Sequence, residues 1–406
     1  MLSRLELLFS INVTGLKKSV IRELLKVTQN HEIISFAGGL PSAETFPVEQ
    51  IADLTKSVIL KSGTWALQYG PTEGDPKLKE QIVRFMADDG LQVKPENILV
   101  ISAAQQGLDL VGKVFVNRHN PVMIGRPSYV GAIGAFRSYA ANFIGIDLDE
   151  KGLCTDHLKE KLKKMRLEAN LPKFIYTVPD FQNPAGVTMS LERRKALLGI
   201  VREYQILIVE DTPYRHLRYV GHAIPSLFQL DNGEGYVISI HTFSKILFPG
   251  LRLGWIAASS QILEKFIIAK QSMDLCTSPL SQAIAYEYCQ RDWLKPHIQE
   301  NIQLYKKKRK IMLESLEKYM PKHPDISWTR PEGGLFLWLT VPESIDADAM
   351  FFQALNEKVA YVVGSGFYMD GGGKHCMRIN FSYPSETEIV EGIKRLSRVI
   401  SKNLDN

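Results

Sequence analysis

The rest of the chain is interpreted from one stretch, His241-Thr242-Phe243-Ser244-Lys245-Ile246-Leu247-Phe248-Pro249-Gly250-Leu251-Arg252-Leu253-Gly254-Trp255. The apolar, β-branched run Tyr236-Val237-Ile238-Ser239-Ile240 precedes it and predicts a buried strand. Lys245 is therefore expected in the loop at the carboxyl end of a strand, with Arg252 a short loop away. A lysine that is partly desolvated or next to another cation can offer a neutral amine at neutral pH.

The side chains around Lys245 suit one kind of ligand. Thr242 and Ser244 carry hydroxyl groups and Arg252 carries a guanidinium fork, which together form a donor set for phosphate. A reactive amine beside a phosphate site indicates the cofactor pyridoxal 5′-phosphate (PLP). The alternative is a surface loop with a solvated lysine and arginine. The preceding strand and the matching sites elsewhere in the chain argue against it.

The composition is that of an ordinary globular protein. The 406 residues are 45% apolar and 23% charged, and the length predicts two or three domains. The net charge of +5 is small and gives no case for nucleic acid as a partner. The four cysteines form no C-x-x-C pair and are interpreted as reduced thiols. We expect a cytoplasmic protein without a membrane span, signal peptide or metal site.

Several further runs predict strands of the same sheet: residues 98–101, 122–124, 173–178 and 205–209. Their spacing leaves room for helical crossovers, which indicates a mostly parallel, buried sheet. The run 254–258 follows the Lys245 strand too closely for a crossover and is expected to be antiparallel.

Polar candidates follow the strands, and ligands of such sheets bind outside the carboxyl ends of the strands. The small-residue loop Ser102-Ala103-Ala104-Gln105-Gln106-Gly107 precedes a helix, so its N–H groups could face an anion. A shared ligand explains why so many polar residues lie at one edge of one sheet. They are Gln105, Tyr129, Asn183, Asp211, Ser244 and Lys245.

Other segments carry candidates at the two ends of the chain. Residues 16–29 predict an amphipathic helix, with Arg22 on one face. Gly38 and Gly39 indicate a sharp turn or a close approach to a ligand. Tyr69 lies on a loop rich in Gly and Pro. Arg378 is the only charged residue of the predicted strand 376–381, and it either points to solvent or binds a substrate carboxylate.

From about residue 19 to its end, the chain resembles the fold-type I PLP enzymes of the class I/II aminotransferase family. Within that family it is most similar to the 2-aminoadipate and kynurenine aminotransferase branch. As a set the motifs are highly specific. They are S-V-I-R-E-L-L-K-V-T-Q, S-F-A-G-G-L-P-S-A-E-T-F-P, L-Q-Y-G-P-T-E-G, S-A-A-Q-Q-G-L-D-L, R-P-S-Y-V-G, P-D-F-Q-N-P-A-G, D-T-P-Y, T-F-S-K and M-R-I-N-F.

The resemblance implies an α/β fold with two parts. One is a three-layer αβα large domain with a mostly parallel sheet, and the other is a smaller α+β domain formed by both chain ends. The implied limits are 1–45 for the amino-terminal arm and part of the small domain, 46–285 for the large PLP-binding domain, and 286–406 for the carboxyl-terminal small domain. A homodimer with active sites shared across the interface is also implied.

The resemblance also implies roles for the cofactor site. Lys245 forms the aldimine with PLP and shuttles the proton, and Asp211 keeps the pyridinium nitrogen protonated. Tyr129 stacks on the ring, and Asn183 and Tyr214 bond its 3′ oxygen. Donors to the phosphate are Ala104, Gln105, Thr242, Ser244 and Arg252, with Tyr69 reaching the phosphate of the neighbouring subunit.

For the substrate, the resemblance implies that Arg378 binds the α-carboxylate, with Gly39 close to it and Asn183 also in contact. Arg22 is our candidate for a distal carboxylate, as in 2-aminoadipate or glutamate. The implied function is PLP-dependent transfer of an amino group, by ping-pong kinetics, from an L-amino acid to a 2-oxo acid such as 2-oxoglutarate. The donor would be 2-aminoadipate, glutamate, or an aromatic or branched amino acid.

Two alternatives remain at this point. One is a different PLP reaction on the same fold, such as β-elimination or decarboxylation, because a fold does not settle the chemistry. The other is a non-enzymatic regulator with an aminotransferase-like domain behind a DNA-binding module. Fewer than twenty residues precede the first matching helix, which is too few for such a module.

Overall fold

The computed structural model describes residues 8–14 and 32–404. The predicted helix over residues 16–29, with Arg22, lies outside these ranges. Within them, no helix combines the length and the apolar character needed to cross a bilayer.

The chain alternates helices and strands over most of its length. The α-helices of the described ranges are α1 (Ile11–Thr14), α2 (Val48–Ala66), α3 (Pro76–Asp88), α4 (Ala104–Phe115), α5 (Val130–Arg137), α6 (Thr155–Leu167), α7 (Leu191–Tyr204), α8 (Leu227–Asp231), α9 (Ser260–Gln271), α10 (Pro279–Gln290), α11 (Leu294–Tyr319), α12 (Ala347–Asn356) and α13 (Glu386–Leu404). The strands are β1 (Ile34–Ser35), β2 (Ile98–Ile101), β3 (Pro121–Arg126), β4 (Asn142–Asp149), β5 (Gly152–Leu153), β6 (Phe174–Thr177), β7 (Leu207–Asp211), β8 (Val237–Thr242), β9 (Gly254–Ala257), β10 (Ser327–Trp328), β11 (Phe336–Thr340), β12 (Val359–Ala360), β13 (Val362–Val363) and β14 (Cys376–Asn380).

The largest sheet has eight strands in the order β2-β9-β8-β7-β6-β3-β4-β5. The pairs from β8 through β7, β6 and β3 to β4 are parallel. β9 is antiparallel to both of its neighbours, β8 and β2, so β2 runs in the same direction as β8. This confirms the prediction of a mostly parallel sheet with an antiparallel strand in the run 254–258, of which β9 covers Gly254–Ala257. The carboxyl ends of β2, β8, β7, β6 and β3 therefore meet at one edge.

Helices cover both faces of this sheet. All four residues of β2 are buried, and they alternate between two cores. Ile98 and Val100 belong to a core with residues of α2, α3 and α10. Leu99 and Ile101 belong to another, with residues of α4 and α9. A strand that is buried on both faces is mostly apolar, which is why β2 lacks a polar alternation. The result is the predicted αβα arrangement of three layers.

A second, antiparallel sheet has the order β10-β11-β14-β13. Near it, β1 from the amino-terminal side pairs in parallel with β12. Gly392 of α13 lies so close to Phe36 that an added Cβ would stand 2.5 Å from the ring. The amino-terminal segment is thus packed into the carboxyl-terminal part of the chain, as expected for an α+β unit formed from both ends.

Some element bounds differ from the sequence-based expectation. The strands predicted at 205–209 and 236–240 run to Asp211 and Thr242, because β7 pairs with β8 as far as Asp211 and β8 pairs with β9 as far as Thr242. Asp211 and Thr242 are therefore the last residues of strands and not loop residues. The strands β4 and β5 were not predicted, since β4 is mostly half-buried and lacks a continuous apolar pattern.

Candidate active site

A cavity of about 150 Å³ opens at the edge where the carboxyl ends of the parallel strands meet. Most of the residues that the sequence singled out for a cofactor line it. The lining consists of Ala103, Ala104, Gln105, Tyr129, Val178, Asn183, Asp211, Pro213, Tyr214, Thr242, Ser244, Lys245, Pro249 and Arg252. A larger cleft of about 780 Å³ lies elsewhere, but its one titratable lining residue, Asp231, bonds the N–H groups of Gly235 and Tyr236.

Lys245 follows β8 in a tight turn at one wall of the cavity. Its Nζ donates a hydrogen bond of 2.7 Å to the carbonyl oxygen of Gly39, which belongs to the amino-terminal segment. Desolvation lowers the pKa of Lys245 to about 8, and the positive charges of Arg378 and Arg252 act in the same direction. About a tenth of the amine is thus neutral at pH 7, far more than for an ordinary lysine, and the neutral amine is the form that attacks carbonyl carbon.

Asp211 ends β7 and is 2% exposed. Its Oδ2 accepts a hydrogen bond of 2.8 Å from the Tyr176 hydroxyl, whereas its Oδ1 has no partner among the described residues. Desolvation raises the pKa of Asp211 to about 7, and the Tyr176 hydrogen bond opposes this shift. A buried carboxylate oxygen without a partner costs free energy unless a ligand supplies a donor.

Asn183, Tyr214 and Arg378 form a connected polar group. Asn183 Nδ2 donates to the Tyr214 hydroxyl at 3.4 Å, and Asn183 Oδ1 accepts from Arg378 Nη1 at 3.0 Å. Burial raises the pKa of the Tyr214 hydroxyl well above its usual value, so Tyr214 stays protonated.

Arg378 is 3% exposed, so the alternative that it points to solvent is wrong. Its Nη2 donates to the Ala37 carbonyl at 3.0 Å, and its Nε has no partner in the described part of the chain. Its guanidinium carbon lies 4.1 Å from the centre of the Phe336 ring and 5.2 Å from that of Phe367. Desolvation lowers the pKa of Arg378 to about 10, which leaves it charged near neutral pH.

The opposite end of the cavity is suited to an anion. α4 begins at Ala104, and the first N–H groups of a helix have no partner within it. Ala103 adopts a φ of 65°, which turns the chain into that helix. The Gln105 amide donates to the Gly131 carbonyl at 2.9 Å, and the Ser244 N–H donates to Thr242 Oγ1 at 3.1 Å.

Tyr129 and Arg252 also face this region. Tyr129 directly precedes α5 and is half-buried, and an added Cβ on Gly131 would stand 2.4 Å from its ring. Glycine at position 131 therefore allows the ring to lie against the start of the helix. Arg252 is exposed and has a φ of 50°.

Three described candidates lie outside the cavity lining, namely Arg378, Tyr69 and Gly39. Tyr69 is 76% exposed. Gly39 contributes its carbonyl oxygen to Lys245, and an added Cβ on it would stand 3.3 Å from the Phe336 ring. Arg22 belongs to the part of the chain that is not described.

Sequence reasoning missed three aromatic side chains that contact the site residues. Tyr176 lies within the strand predicted at 173–178, where its apolar neighbours gave no reason to separate it from the core. Phe336 and Phe367 flank Arg378 from the second sheet and from a 3₁₀ turn. Only their position near two glycine-containing loops could have drawn attention to them.

Comparisons with known proteins agree on one family. The profile described as "Aminotransferase class I and II" matches residues 32–396. The chain is 45% identical over 397 residues to aromatic-amino-acid aminotransferase 1 of Thermococcus litoralis. This match covers 98% of this chain and 94% of the relative. It is 39% identical over 387 residues to the 2-aminoadipate transaminase of Thermus thermophilus, which covers 95% of this chain and 94% of that one.

A solved structure supports the same family. The Pyrococcus horikoshii kynurenine aminotransferase, in complex with PMP, with kynurenine as substrate and KYA as product, superposes with a TM-score of 0.95 at 43% identity. The match covers 100% of this chain and 99% of that one. Enzymes of this family depend in general on PLP and act on small amino and oxo acids. The chain belongs to the class I and II aminotransferases and is a transaminase.

Proposed function

We propose that the cavity beside Lys245 is the PLP site and that Lys245 binds the cofactor covalently through Nζ. Three features of the cavity fit such a group. Lys245 offers an amine with a lowered pKa, and Asp211 Oδ1 is a buried acceptor without a partner in the described chain. The start of α4, with Ser244 and Arg252, offers donors for a phosphate. The partnerless Asp211 oxygen carries the proposal, because a protonated ring nitrogen is the donor that it lacks.

We infer the remaining cofactor contacts from the lining of the cavity. Tyr129 supplies a flat ring on which the cofactor can stack. Asn183 and Tyr214 supply polar groups for the 3′ oxygen. The donors to the phosphate are Ala104, Gln105, Thr242, Ser244 and Arg252.

We propose that Arg378 binds the α-carboxylate of the substrate. It is a buried cation, and its hydrogen-bond partners within residues 8–14 and 32–404 are Asn183 and Ala37, neither of which offers a carboxylate. Its planar guanidinium matches a carboxylate in two parallel hydrogen bonds. Gly39, whose Cβ position lies 3.9 Å from Arg378 Nη2, leaves room for the substrate near that group.

In the proposed reaction Lys245 has a second task. When bound, PLP supplies an aldehyde that condenses with amines and a ring that accepts the electrons of the Cα–H bond. Lys245 Nζ takes the proton from the substrate Cα, holds it, and gives it up again. Arg378 fixes the carboxylate, so that the Cα–H bond stays within reach of the amine. Because an amino donor and an oxo-acid acceptor would use the same site in turn, we expect ping-pong kinetics.

The names of the relatives guide the proposed substrates. We propose that the donor is an aromatic amino acid or 2-aminoadipate, with branched amino acids and glutamate as further candidates. 2-Oxoglutarate is the proposed acceptor, and Arg22 is the proposed partner of a distal carboxylate.

We further propose a cytoplasmic homodimer in which Tyr69 reaches the phosphate site of the neighbouring subunit. Tyr69 is 76% exposed, and the nearby apolar residues Leu60 and Leu67 are also largely exposed. These exposed side chains support an interface near the end of α2. The proposed domain limits are 1–45 with 286–406 for the small domain and its arm, and 46–285 for the large domain.

The test is a half-reaction followed by absorbance. The purified enzyme with PLP is mixed with single amino acids of the proposed classes, and we expect conversion to the pyridoxamine form, which an eliminating or decarboxylating enzyme would not accumulate. Lys245→Ala should still bind PLP, but without the absorbance of the lysine-bound cofactor and with turnover reduced by orders of magnitude. Transamination retained in Lys245→Ala would refute the assignment.

A further inference from the structure

We propose that Tyr176 is a positioning residue for the cofactor. Its hydroxyl donates a hydrogen bond to Asp211 Oδ2, which favours the charged form of the carboxyl group and leaves Oδ1 available to the ring nitrogen. This rests on the proposed PLP site. Tyr176 is itself absent from the cavity lining, so it acts through Asp211 and not by contact with the cofactor.

The register of the sheet explains why these two side chains meet. Tyr176 of β6 is paired with Val209 of β7. Side chains two apart on a strand share a face, so Asp211 lies on the same face as Val209 and diagonally next to Tyr176. Tyr176 is fully buried, and its ring packs edge-on against Phe136 with centroids 5.8 Å apart. The hydroxyl is therefore held at 2.8 Å from Oδ2 by the core and cannot turn to solvent.

The charge balance gives this hydrogen bond its importance. Burial disfavours the charged carboxylate of Asp211, and the Tyr176 hydrogen bond favours it. Burial also raises the pKa of Tyr176 well above its usual value, so the hydroxyl remains a donor at all working pH values. Tyr129 and Tyr214 face the same region, and Lys245, Arg252 and Arg378 are the cations near it.

The consequence concerns one proton. A charged Asp211 stabilises a proton on the ring nitrogen, whereas a neutral Asp211 does not. Removing the Tyr176 hydroxyl raises the proton affinity of Asp211, so the proton shifts from the ring nitrogen towards the carboxylate. Hydrogen bonds to charged groups are strong enough that this change should weaken PLP binding about tenfold or more.

The experiment compares Tyr176→Phe with Tyr361→Phe. Tyr361 is also fully buried, and its hydroxyl donates to the Ala347 carbonyl at 2.6 Å, away from the cavity. Each variant thus loses one hydroxyl and one buried hydrogen bond. The measurements are the dissociation constant of PLP and the pH titration of the absorbance of the bound cofactor. Asp211→Asn and the double variant Tyr176→Phe/Asp211→Asn complete a double-mutant cycle.

We expect Tyr176→Phe to raise the dissociation constant about tenfold or more and to shift the spectral titration, with Tyr361→Phe unchanged in both. In the Asp211→Asn background, loss of the Tyr176 hydroxyl should change the dissociation constant less than about twofold. Equal behaviour of Tyr176→Phe and Tyr361→Phe, with Asp211→Asn impaired, would overturn this inference alone. PLP binding that is unaffected in Asp211→Asn would overturn the proposed cofactor site instead.

Discussion

At the scale of single residues, the site combines charged groups that ordinary burial would disfavour. Lys245 and Arg378 are cations with pKa values lowered by desolvation, and Asp211 is a carboxyl group with a raised one. Such opposed shifts in one cavity are typical of functional sites, because a stable core would have replaced or paired these groups. An anionic cofactor and an anionic substrate are the ligands that balance two buried cations.

The lowered pKa of Lys245 predicts the pH dependence of cofactor uptake. Only the neutral amine attacks an aldehyde, and its fraction rises as the pH passes through about 8. We therefore expect the rate at which the cofactor-free enzyme combines with PLP to increase with pH and to reach half its maximum near pH 8. The measurement is the rise in absorbance of the lysine-bound cofactor after mixing, at pH values from about 6 to 10.

The control for this prediction is a free lysine side chain in a small peptide, whose amine titrates near pH 10.4. If the enzyme followed the same pH curve as the peptide, desolvation would not be what activates Lys245.

At the scale of elements, the close contact between β8, β9 and the start of α4 shapes the anion end of the cavity. Gly254 begins β9, and an added Cβ would stand 2.4 Å from the His241 carbonyl oxygen and 3.3 Å from the Cα of Ala103. Both contacts are with backbone, which cannot move aside as a flexible side chain does. Glycine at this position lets the strand pair and the helix start come together, and this brings Arg252 and Ser244 next to Ala104.

Gly254→Ala should therefore separate these elements. We expect the free energy of unfolding to fall by about 1–3 kcal/mol, as for other overpacked positions, and PLP binding to weaken because the proposed phosphate donors move apart. Denaturant unfolding and the PLP dissociation constant measure the two effects.

Gly134→Ala is the matched control for this variant. Gly134 lies in α5 with open space around its Cβ position, so alanine should raise the helix stability by about 0.5–1 kcal/mol and leave PLP binding unchanged. PLP binding that is equally weakened in both variants would contradict the importance of the close contact at Gly254.

At the scale of the whole molecule, the site joins segments that are far apart in the sequence. Ala37 and Gly39 come from the amino-terminal side, Asn183 and Lys245 from the loops that follow β6 and β8, and Arg378 from the second sheet. The proposed contribution of Tyr69 would add a second subunit to this list.

Subunit mixing tests that contribution. Lys245→Ala should be inactive, and Tyr69→Phe should have weakened activity. In a hybrid dimer, the Tyr69→Phe subunit keeps its Lys245 and receives an intact Tyr69 from the Lys245→Ala subunit, so one of the two sites has both residues. After dissociation and reassociation of equal amounts, half of the dimers are hybrids with one intact site each, so we expect about a quarter of the wild-type activity from them, in addition to the residual activity of the Tyr69→Phe dimers. Activity no higher than the mean of the two separate variants would argue against a shared site, and sedimentation of the wild type as a monomer would exclude it.

The sequence by itself determined much of this protein. The strands predicted at 98–101, 173–178 and 254–258 are present with nearly those bounds, and polar residues follow the parallel ones as expected, because strand burial and loop chemistry are local properties of the chain. The lysine motif predicted PLP, on which enzymes of this family depend in general.

Only the tertiary structure decided how those residues act on one another. Whether Arg378 faced solvent or the site depended on packing between Phe336 and Phe367, which lie 42 and 11 residues away in sequence. The bond from Tyr176 to Asp211 depends on the register of two strands, and the unpartnered Asp211 oxygen depends on what else is buried nearby. Charge state and orientation are set by neighbours in space, and a single sequence does not specify which residues those neighbours are.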